Sequence, residues 1–510
     1  MRIKKSFYNV AFSLLSYFIS MIFTFVTQAM IVKILGIEYS GVNGLFNNIL
    51  TMLSVAELGI GTAIIFKLYD PISKDNREEI KSWMNFYKIC YRFVALFVLL
   101  VGLLILPLVP AIIGSSSIKD NLYILYFISL LDVIFSYIMT YKRSLLYADQ
   151  KNYVINIVHI LYTVFMNLFQ IIIIFFTKKY LYYLIVKVIF RLLENIIINS
   201  YVNLNYPYIN EKYLPISKSD RRDISERIQA IFVQKVSFVV NKGIDNILIS
   251  IFLGVSSVGF YTNYNLIVTT LSSTVFQMIS GFSASIGNLL TENNKEKNYL
   301  IYKVVNLFNT SMTSLCICGF FCCIQPFITI WLGHDYLLSL DIVISFVIYL
   351  YSDSIRRSIT IFKEAAGICK EDKHAYIFMT LINLFSSIIL CRLFGISGVI
   401  VGTSISYLYL IFYSYPKFVF TKVFTEPIYF YYIEKIKNIF LITISLLLSF
   451  YLCNLFSCHI IFKFIFNGII ASFVTFILLI VVYRKSDEFI YLRKLINKLI
   501  LKKIKQFKRS

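Results

Sequence analysis

The stretch LGIEYSGVNGLFNNILTMLS, residues 35–54, returns as LGVSSVGFYTNYNLIVTTLS at residues 253–272. At a fixed offset of 218, eight columns are identical: Leu35/Leu253, Gly36/Gly254, Gly41/Gly259, Asn47/Asn265, Ile49/Ile267, Thr51/Thr269, Leu53/Leu271 and Ser54/Ser272. An ungapped echo at that distance marks duplication of a long structural unit. What kind of unit follows from the text around both copies. Apolar runs of about 20 residues recur along the chain, each long enough to cross ~30 Å of hydrocarbon as a helix.

Composition agrees. The 510 residues are 58% hydrophobic and 15% charged, against about 25% charged for ordinary soluble domains. The first apolar run starts near Ser6 and passes Met30 behind Arg2, Lys4 and Lys5. It is too long for a signal-peptide core and reads as the first span. The runs predict an all-α polytopic membrane protein of fourteen helices, near 8–32, 43–67, 84–108, 120–141, 153–176, 181–201, 228–252, 259–284, 301–324, 338–358, 375–392, 397–415, 437–454 and 462–483. Solidly apolar runs argue against a β-barrel, whose strands alternate. The 38 Tyr and 47 Phe suit lipid-facing and interfacial positions.

With the amino terminus inside, the outer loops hold only Lys33, Lys119, Lys178, Lys179, Arg392 and Lys463, while most of the 49 Lys and Arg fall on the inner side. That asymmetry predicts both termini in the cytoplasm and an even number of spans. It also accounts for the net charge of +22 without a nucleic-acid partner. The basic tail 484–510 predicts an amphipathic helix on the anionic inner leaflet, Leu492, Leu495, Ile496, Leu499, Ile500 and Phe507 on one side and lysines and arginines mostly on the other.

The offset of 218 lays helix 1 on helix 7 and helix 2 on helix 8. Six spans per half is even, so both halves enter the membrane in the same direction, an arrangement of transporters. The predicted domains are a six-helix lobe at 1–201, a cytoplasmic linker at 202–227 with Pro207 and Pro215, a second lobe at 228–416, an appended helix pair at 417–483 and the tail.

Charged residues inside spans are the candidate site. Glu57, Asp132, Arg191, Lys242 and Asp245 fall near the midplane, where each ionised side chain costs about 2.5–3.5 kcal/mol, so they must face a wet cavity or one another. Lys187, Arg191 and Glu194 stand at i, i+4 and i+7, one stripe of helix 6; Lys235, Lys242 and Asp245 form a comparable stripe on helix 7. Four cations on two stripes predict a cavity that receives an anion. Internal pairing, Lys187 or Arg191 with Glu194 and Lys242 with Asp245, is the alternative. Glu57 and Asp132 suit either coupling to an ion or a structural tie, for instance to Arg92.

Other groups carry no chemistry. Cys316, Cys318, Cys322 and Cys323 lie in an apolar span without His or carboxylate company, so no metal is expected and the thiols read as small hydrophobes. His159, His334, His374 and His459 are scattered. No phosphate-binding loop of the ATPase kind occurs, and the short outer loops offer no constellation for a glycosyltransferase or polymerase. No enzyme activity is expected.

Phrases within this frame resemble a known family. ELGIGTAIIFKLYDPIS (57–73), QKVSFVVNKGIDNILISIFLGVSSVGFYTNY (234–264), SASIGNLL (283–290) and FITIWLG (327–333) are similar to bacterial oligosaccharide repeat-unit flippases, polysaccharide transporters whose superfamily includes the multidrug MATE exporters and the lipid II flippase. The resemblance covers roughly 1–485. It implies a V of two six-helix lobes opening alternately to each side of the bacterial plasma membrane. Its cargo would be an undecaprenyl-pyrophosphate-linked oligosaccharide, turned outward for capsule, O-antigen or a similar polymer. No cofactor is implied, though a proton or sodium gradient would drive the cycle, and the polymerase and glycosyltransferases of the pathway would be partners. Arg191, Lys235 and Lys242 would meet the pyrophosphate or acidic sugars, with Lys187 extending the path. Rival readings are the lipid II flippase and a drug or cation antiporter, the latter disfavoured by the predominance of cations. Asn263, Tyr264 and Asn265 read as packing groups before sugar contacts, and Gly36, Gly41, Gly254 and Gly259 as the outer turns of each lobe.

Overall fold

The computed structural model describes residues 2–54, 60–114, 116–138, 140–211, 215–292, 294–368, 371–455 and 459–494. Two compact units divide the chain, Met1–Asn263 and Tyr264–Ser510. The first contains α1 (Arg2–Met30), α2 (Ile37–Leu53), α3 (Ile60–Ser73), α4 (Arg77–Ile105), α5 (Val109–Ile113), α6 (Leu122–Ile138), α7 (Thr140–Ala148), α8 (Asn152–Thr177), α9 (Tyr180–Asn205) and α10 (Lys218–Leu253). Helix α11 (Val255–Ser280) begins there and continues into the second unit. That unit adds α12 (Ser283–Thr291), α13 (Lys295–Trp331), α14 (Leu340–Ile355), α15 (Arg357–Ala365), α16 (Lys373–Phe394), α17 (Ile396–Tyr409), α18 (Thr421–Val423), α19 (Ile428–Asn454) and α20 (Ile460–Tyr483). No strand occurs among the described residues.

The protein is an all-α multi-pass membrane protein. Among the described residues nine helices are long and apolar enough to cross a bilayer, and α6 with α7, bent by 42°, makes a tenth. The other predicted spans coincide with helices that are interrupted or polar. The run 43–67 contains α2 and α3 with an undescribed segment between them, the run 338–358 breaks between α14 and α15, α9 carries Lys187, Arg191 and Glu194, and α11, over the run 259–284, is rich in Ser, Thr and Asn. The predicted linker is partly helical, because α10 starts at Lys218 rather than near 228, and the two compact units meet after Asn263 rather than in the linker. The tail is helical from 487 to 494; its predicted apolar residues Leu495, Ile496, Leu499, Ile500 and Phe507 lie outside the described residues.

Polar caps start two of the long helices. The Asn76 side chain accepts from the Glu79 N–H at 3.3 Å, with Glu78 and Glu79 in the first turn of α4 beside the positive end of its dipole. Asn294 caps α13 in the same way, accepting from Lys297 N–H at 3.0 Å. Phe and Leu side chains such as Leu104, Phe176, Phe385, Phe440 and Phe473 point outward, as lipid contact requires. Tyrosine divides: Tyr69, Tyr429 and Tyr451 are exposed, as composition suggests, and others fill the core. Tyr87, Tyr91, Tyr126 and Tyr180 in the first unit, and Tyr302, Tyr376, Tyr407, Tyr415 and Tyr431 in the second, are fully buried. Their rings fill core volume, and some of the hydroxyls find a partner: Tyr431 donates to Ile411 O at 2.9 Å and Tyr180 to Asn43 at 2.9 Å.

The duplicated stretch meets itself inside the first unit. A Cβ added at Gly41 would lie 2.1 Å from Val255 O, and one added at Gly259 would lie 2.3 Å from Ile37 O. Gly41 and Gly259 are repeat mates, and so are Ile37 and Val255. The amino ends of α2 and α11 therefore cross backbone to backbone, each repeat supplying the glycine that admits the other's carbonyl. Ser256, the repeat mate of Glu38, donates to Glu38 Oε1 at 3.1 Å across the crossing. This corrects the reading of all four glycines as turns. Gly36 (φ 106°) and Gly254 (φ 84°) do turn the chain, in a conformation that favours glycine, whereas Gly41 and Gly259 are helical and packed.

Candidate functional site

The site is built on α6, α7, α8 and α9, which pack together in the first unit. Lys187, Arg191 and Glu194 share one face of α9, as the spacing predicts. Asp132 of α6 receives Lys187 Nζ at 3.2 Å and Arg191 Nε at 3.2 Å. Arg191 Nη1 reaches Glu194 Oε2 at 2.8 Å, so one guanidinium bridges two carboxylates. Glu194, whose side chain is 0% exposed, also receives Arg143 of α7 at 3.1 Å, and His159 Nδ1 of α8 lies 3.1 Å from its other oxygen. The guanidinium of Arg191 lies over the Tyr162 ring at 4.9 Å, and Tyr162 stacks on His159.

The cluster is therefore a network of three permanent cations and two carboxylates, with one positive charge in excess before His159 is counted. Asn195 steadies it, accepting from Arg143 Nη2 at 3.0 Å and donating to Phe135 O at 2.8 Å. A buried ion network of this kind survives in hydrocarbon only because each carboxylate oxygen has a donor. Arg143, Arg191 and Lys187 keep 18%, 20% and 26% of their side-chain surface open, enough to present a donor to an incoming anion.

Internal pairing is thus present on α9: Glu194 and Asp132 hold the cations in place, with one positive charge left over among the five groups. The tie of Asp132 is to α9 and not to Arg92. Sequence reasoning missed Arg143 and left His159 isolated. Arg143 sits at the inner end of a predicted span, where one more basic residue looks like topology. His159 is joined to Glu194 only through the packing of α8 on α9.

The second stripe has different neighbours. Helix α10 packs on α2, α3 and α5, whereas α9 packs on α6, α7 and α8. Asp245 is buried and accepts from Tyr261 OH at 3.3 Å, Lys242 is exposed, and its backbone carbonyl accepts from Asn48 at 3.4 Å. Lys235 is half-buried. Glu57 lies outside the described residues. Asn263 accepts from Gln28 at 2.7 Å, and Tyr264 OH accepts from Leu338 N–H at 2.9 Å while its ring stacks on Phe346, so both act as packing groups. Cys318 and Cys322 pack with Cys453 and Ala471 in a small apolar cluster.

The helical arrangement is shared with solved structures. The lipid II flippase MurJ in an inward closed conformation is similar at a TM-score of 0.65, with 18% identity over 93% of this chain and 99% of that one. An inward-facing multidrug resistance MATE family transporter of the MOP superfamily gives 0.59 at 14% identity over 77% and 91%. A mutant of the Vibrio cholerae MATE transporter VcmN gives 0.55 at 13% identity over 79% and 93%. None of the curated proteins compared matches the sequence. The fold is therefore the one that these solved structures share. Residues 6–281 match the family described as polysaccharide biosynthesis protein, and with more than half of its length matched the chain belongs to that family.

Proposed function

We propose that the protein turns an undecaprenyl-pyrophosphate-linked oligosaccharide repeat unit from the inner to the outer leaflet of the bacterial plasma membrane, by alternating access, for assembly of capsule, O-antigen or a similar surface polymer. The observation that carries this reading is the surplus of cations over carboxylates in the Asp132–Arg191–Glu194 network, in a chain of a polysaccharide biosynthesis family. A head of sugars and two phosphates cannot cross hydrocarbon unaided, while the prenyl tail can stay in the bilayer. Open donors on Lys187 and Arg191 lower the barrier by replacing part of the water around the phosphates. Lys235 and Lys242 on α10 extend the cationic path. The likeness to a flippase and to transporters described as inward closed and inward-facing supports alternation. A proton or sodium gradient supplies the drive, and Asp132, Glu194 and Asp245 are the described carboxylates able to take the ion. An antiporter for organic cations would need carboxylates in surplus, the reverse of what α6–α9 carry.

The test is neutralisation of the open cation. Lys187→Gln leaves Asp132 paired with Arg191, and Arg191→Gln leaves Glu194 paired with Arg143. Both variants are expected to reach the membrane at normal abundance and to lose most surface polymer. Normal export from both would refute the anion-receiving role.

A further inference from the structure

The second unit holds a cavity that the proposed cycle does not use. It lies between the start of α13, the start of α19 and the turn that follows α20. Its volume is about 460 Å³, within the ~300–1,000 Å³ of small-molecule sites. The helices give its depth. Lys303 is the last charged residue of α13 and Lys437 the last of α19, while α20 carries no charge from Phe464 to its end at Tyr483. Three helices thus pass between polar and apolar sequence at the cavity, the level at which the headgroups of a bilayer meet its hydrocarbon.

The charges around the cavity balance. Glu426, Glu434, Asp487 and Glu488 line it together with Lys303, Lys437 and Lys485. Lys435, fully buried beside Glu434 in the chain and donating to Asn306 Oδ1 at 3.1 Å, makes the signs equal in number. Few of these groups meet. Lys303 reaches Asp487 at 3.3 Å and Glu488 at 3.8 Å. Among the described residues Glu426 and Glu434, both half-buried, form no ion pair, and neither do half-buried Lys437 and exposed Lys485. Glu426 Oε2 is buried with no donor, and Glu434 Oε2 has only the Asn306 amide at 3.4 Å. At longer range Glu434 feels Lys435, Lys303 and Lys437, opposed by Glu488. Lys437 lies 3.9 Å over the Tyr483 ring instead of on a carboxylate.

Unlike charges that share a cavity close into pairs unless something stands between them, because a carboxylate drawn out of water without donors is costly. A ligand that satisfies both sets brings an N–H cation for the carboxylates and an anion for the lysines, and adds no net charge. We propose that this cavity binds the headgroup of a zwitterionic phospholipid with a primary ammonium, the chemistry of phosphatidylethanolamine. The three N–H groups of the ammonium supply Glu426 and Glu434, and the phosphate takes Lys437 and Lys485. Bound there, the lipid ties α13 and α19 to the turn after α20, so that the stability of the second unit follows lipid composition. A quaternary headgroup offers no N–H to the carboxylates, and an anionic one brings no cation. The site stands whatever the cargo is.

The experiment places the full chain in nanodiscs of phosphatidylcholine and titrates in phosphatidylethanolamine, reading the unfolding midpoint and the lipid retained in native mass spectrometry. Phosphatidylethanolamine is expected to raise the wild-type midpoint and to be retained. Glu426→Gln and Lys437→Gln should each weaken its binding about ten-fold, the loss of one charge-assisted contact. Glu426 forms no ion pair, so its variant should keep the midpoint of wild type in phosphatidylcholine alone, and it decides the matter if Lys437→Gln does not fold. Arg484→Gln makes the same change of charge off the cavity and should bind like wild type. Displacement of the lipid by free phosphoethanolamine would show that the head is what is recognised. Equal wild-type midpoints with and without phosphatidylethanolamine, or unchanged affinity in both variants, overturn the site. Stabilisation by phosphatidylglycerol that Glu426→Gln abolishes would overturn the zwitterion.

Discussion

Replacing Gly259 by alanine tests whether the two repeats are locked together at the α2–α11 crossing. The added methyl would lie 2.3 Å from Ile37 O and 2.8 Å from Ile37 Cγ1. The carbonyl is backbone and cannot swing aside, so the helices must part by about 1 Å to restore ordinary contact. Overpacking of this kind costs roughly 1–3 kcal/mol. Against it stands the ~1 kcal/mol that alanine gains over glycine in a helix. The repeat mate Gly41 meets an even closer carbonyl, Val255 O at 2.1 Å, so Gly41→Ala should behave alike. Gly319 in α13 is the control, because nothing lies within 4 Å of a Cβ added there. Thermal unfolding of the purified proteins in one detergent should show midpoints lowered for Gly259→Ala and Gly41→Ala and unchanged or raised for Gly319→Ala. Three coincident midpoints would refute the crossing.

Two further substitutions probe buried polar groups. Glu194→Gln leaves Arg143 and Arg191 sharing one fewer carboxylate; the cost should be about 3 kcal/mol, the lower end for breaking a buried ion pair because both guanidiniums keep a partly open edge. Lowered yield and midpoint in Glu194→Gln, against little change in Glu292→Gln on an exposed loop, would support it, and equal behaviour would count against it. Asn309 donates to Ser354 O at 3.1 Å and Ile355 O at 3.3 Å, the carbonyls stranded where α14 breaks. Asn309→Leu should cost about 1–3 kcal/mol for the loss of a buried amide donor, since Ser354 O keeps the Arg356 N–H and Ile355 O only a long bond from Ser358 Oγ, and a wild-type midpoint would show that the break satisfies itself.

Much of this was legible in the sequence. Membrane class, helix positions and the α9 stripe follow from hydropathy and from a 3.6-residue period that needs no tertiary information. The 218-residue echo disclosed the duplication and even the glycines, but not that the two copies pack on each other, since a glycine that turns and a glycine that admits a carbonyl read alike. Asp132 was singled out by its cost in hydrocarbon, yet its partners on α9 lie 55 and 59 residues further along the chain. Arg143 was hidden by the excess of basic residues that the sequence predicts at that end of its span, which makes it unremarkable until a buried carboxylate is found holding it. Buried tyrosines were hidden by a composition in which aromatic residues abound everywhere.

The measurement closest to the central claim is the sidedness of lipid-linked saccharides in cells lacking this protein and in the complemented strain. Undecaprenyl-pyrophosphate intermediates would be extracted, identified by mass spectrometry and probed for accessibility in intact vesicles. The account predicts a repeat unit trapped on the cytoplasmic face, with surface polymer lost and both restored by complementation. Unchanged intermediates and unchanged polymer would contradict it and assign this chain a different cargo.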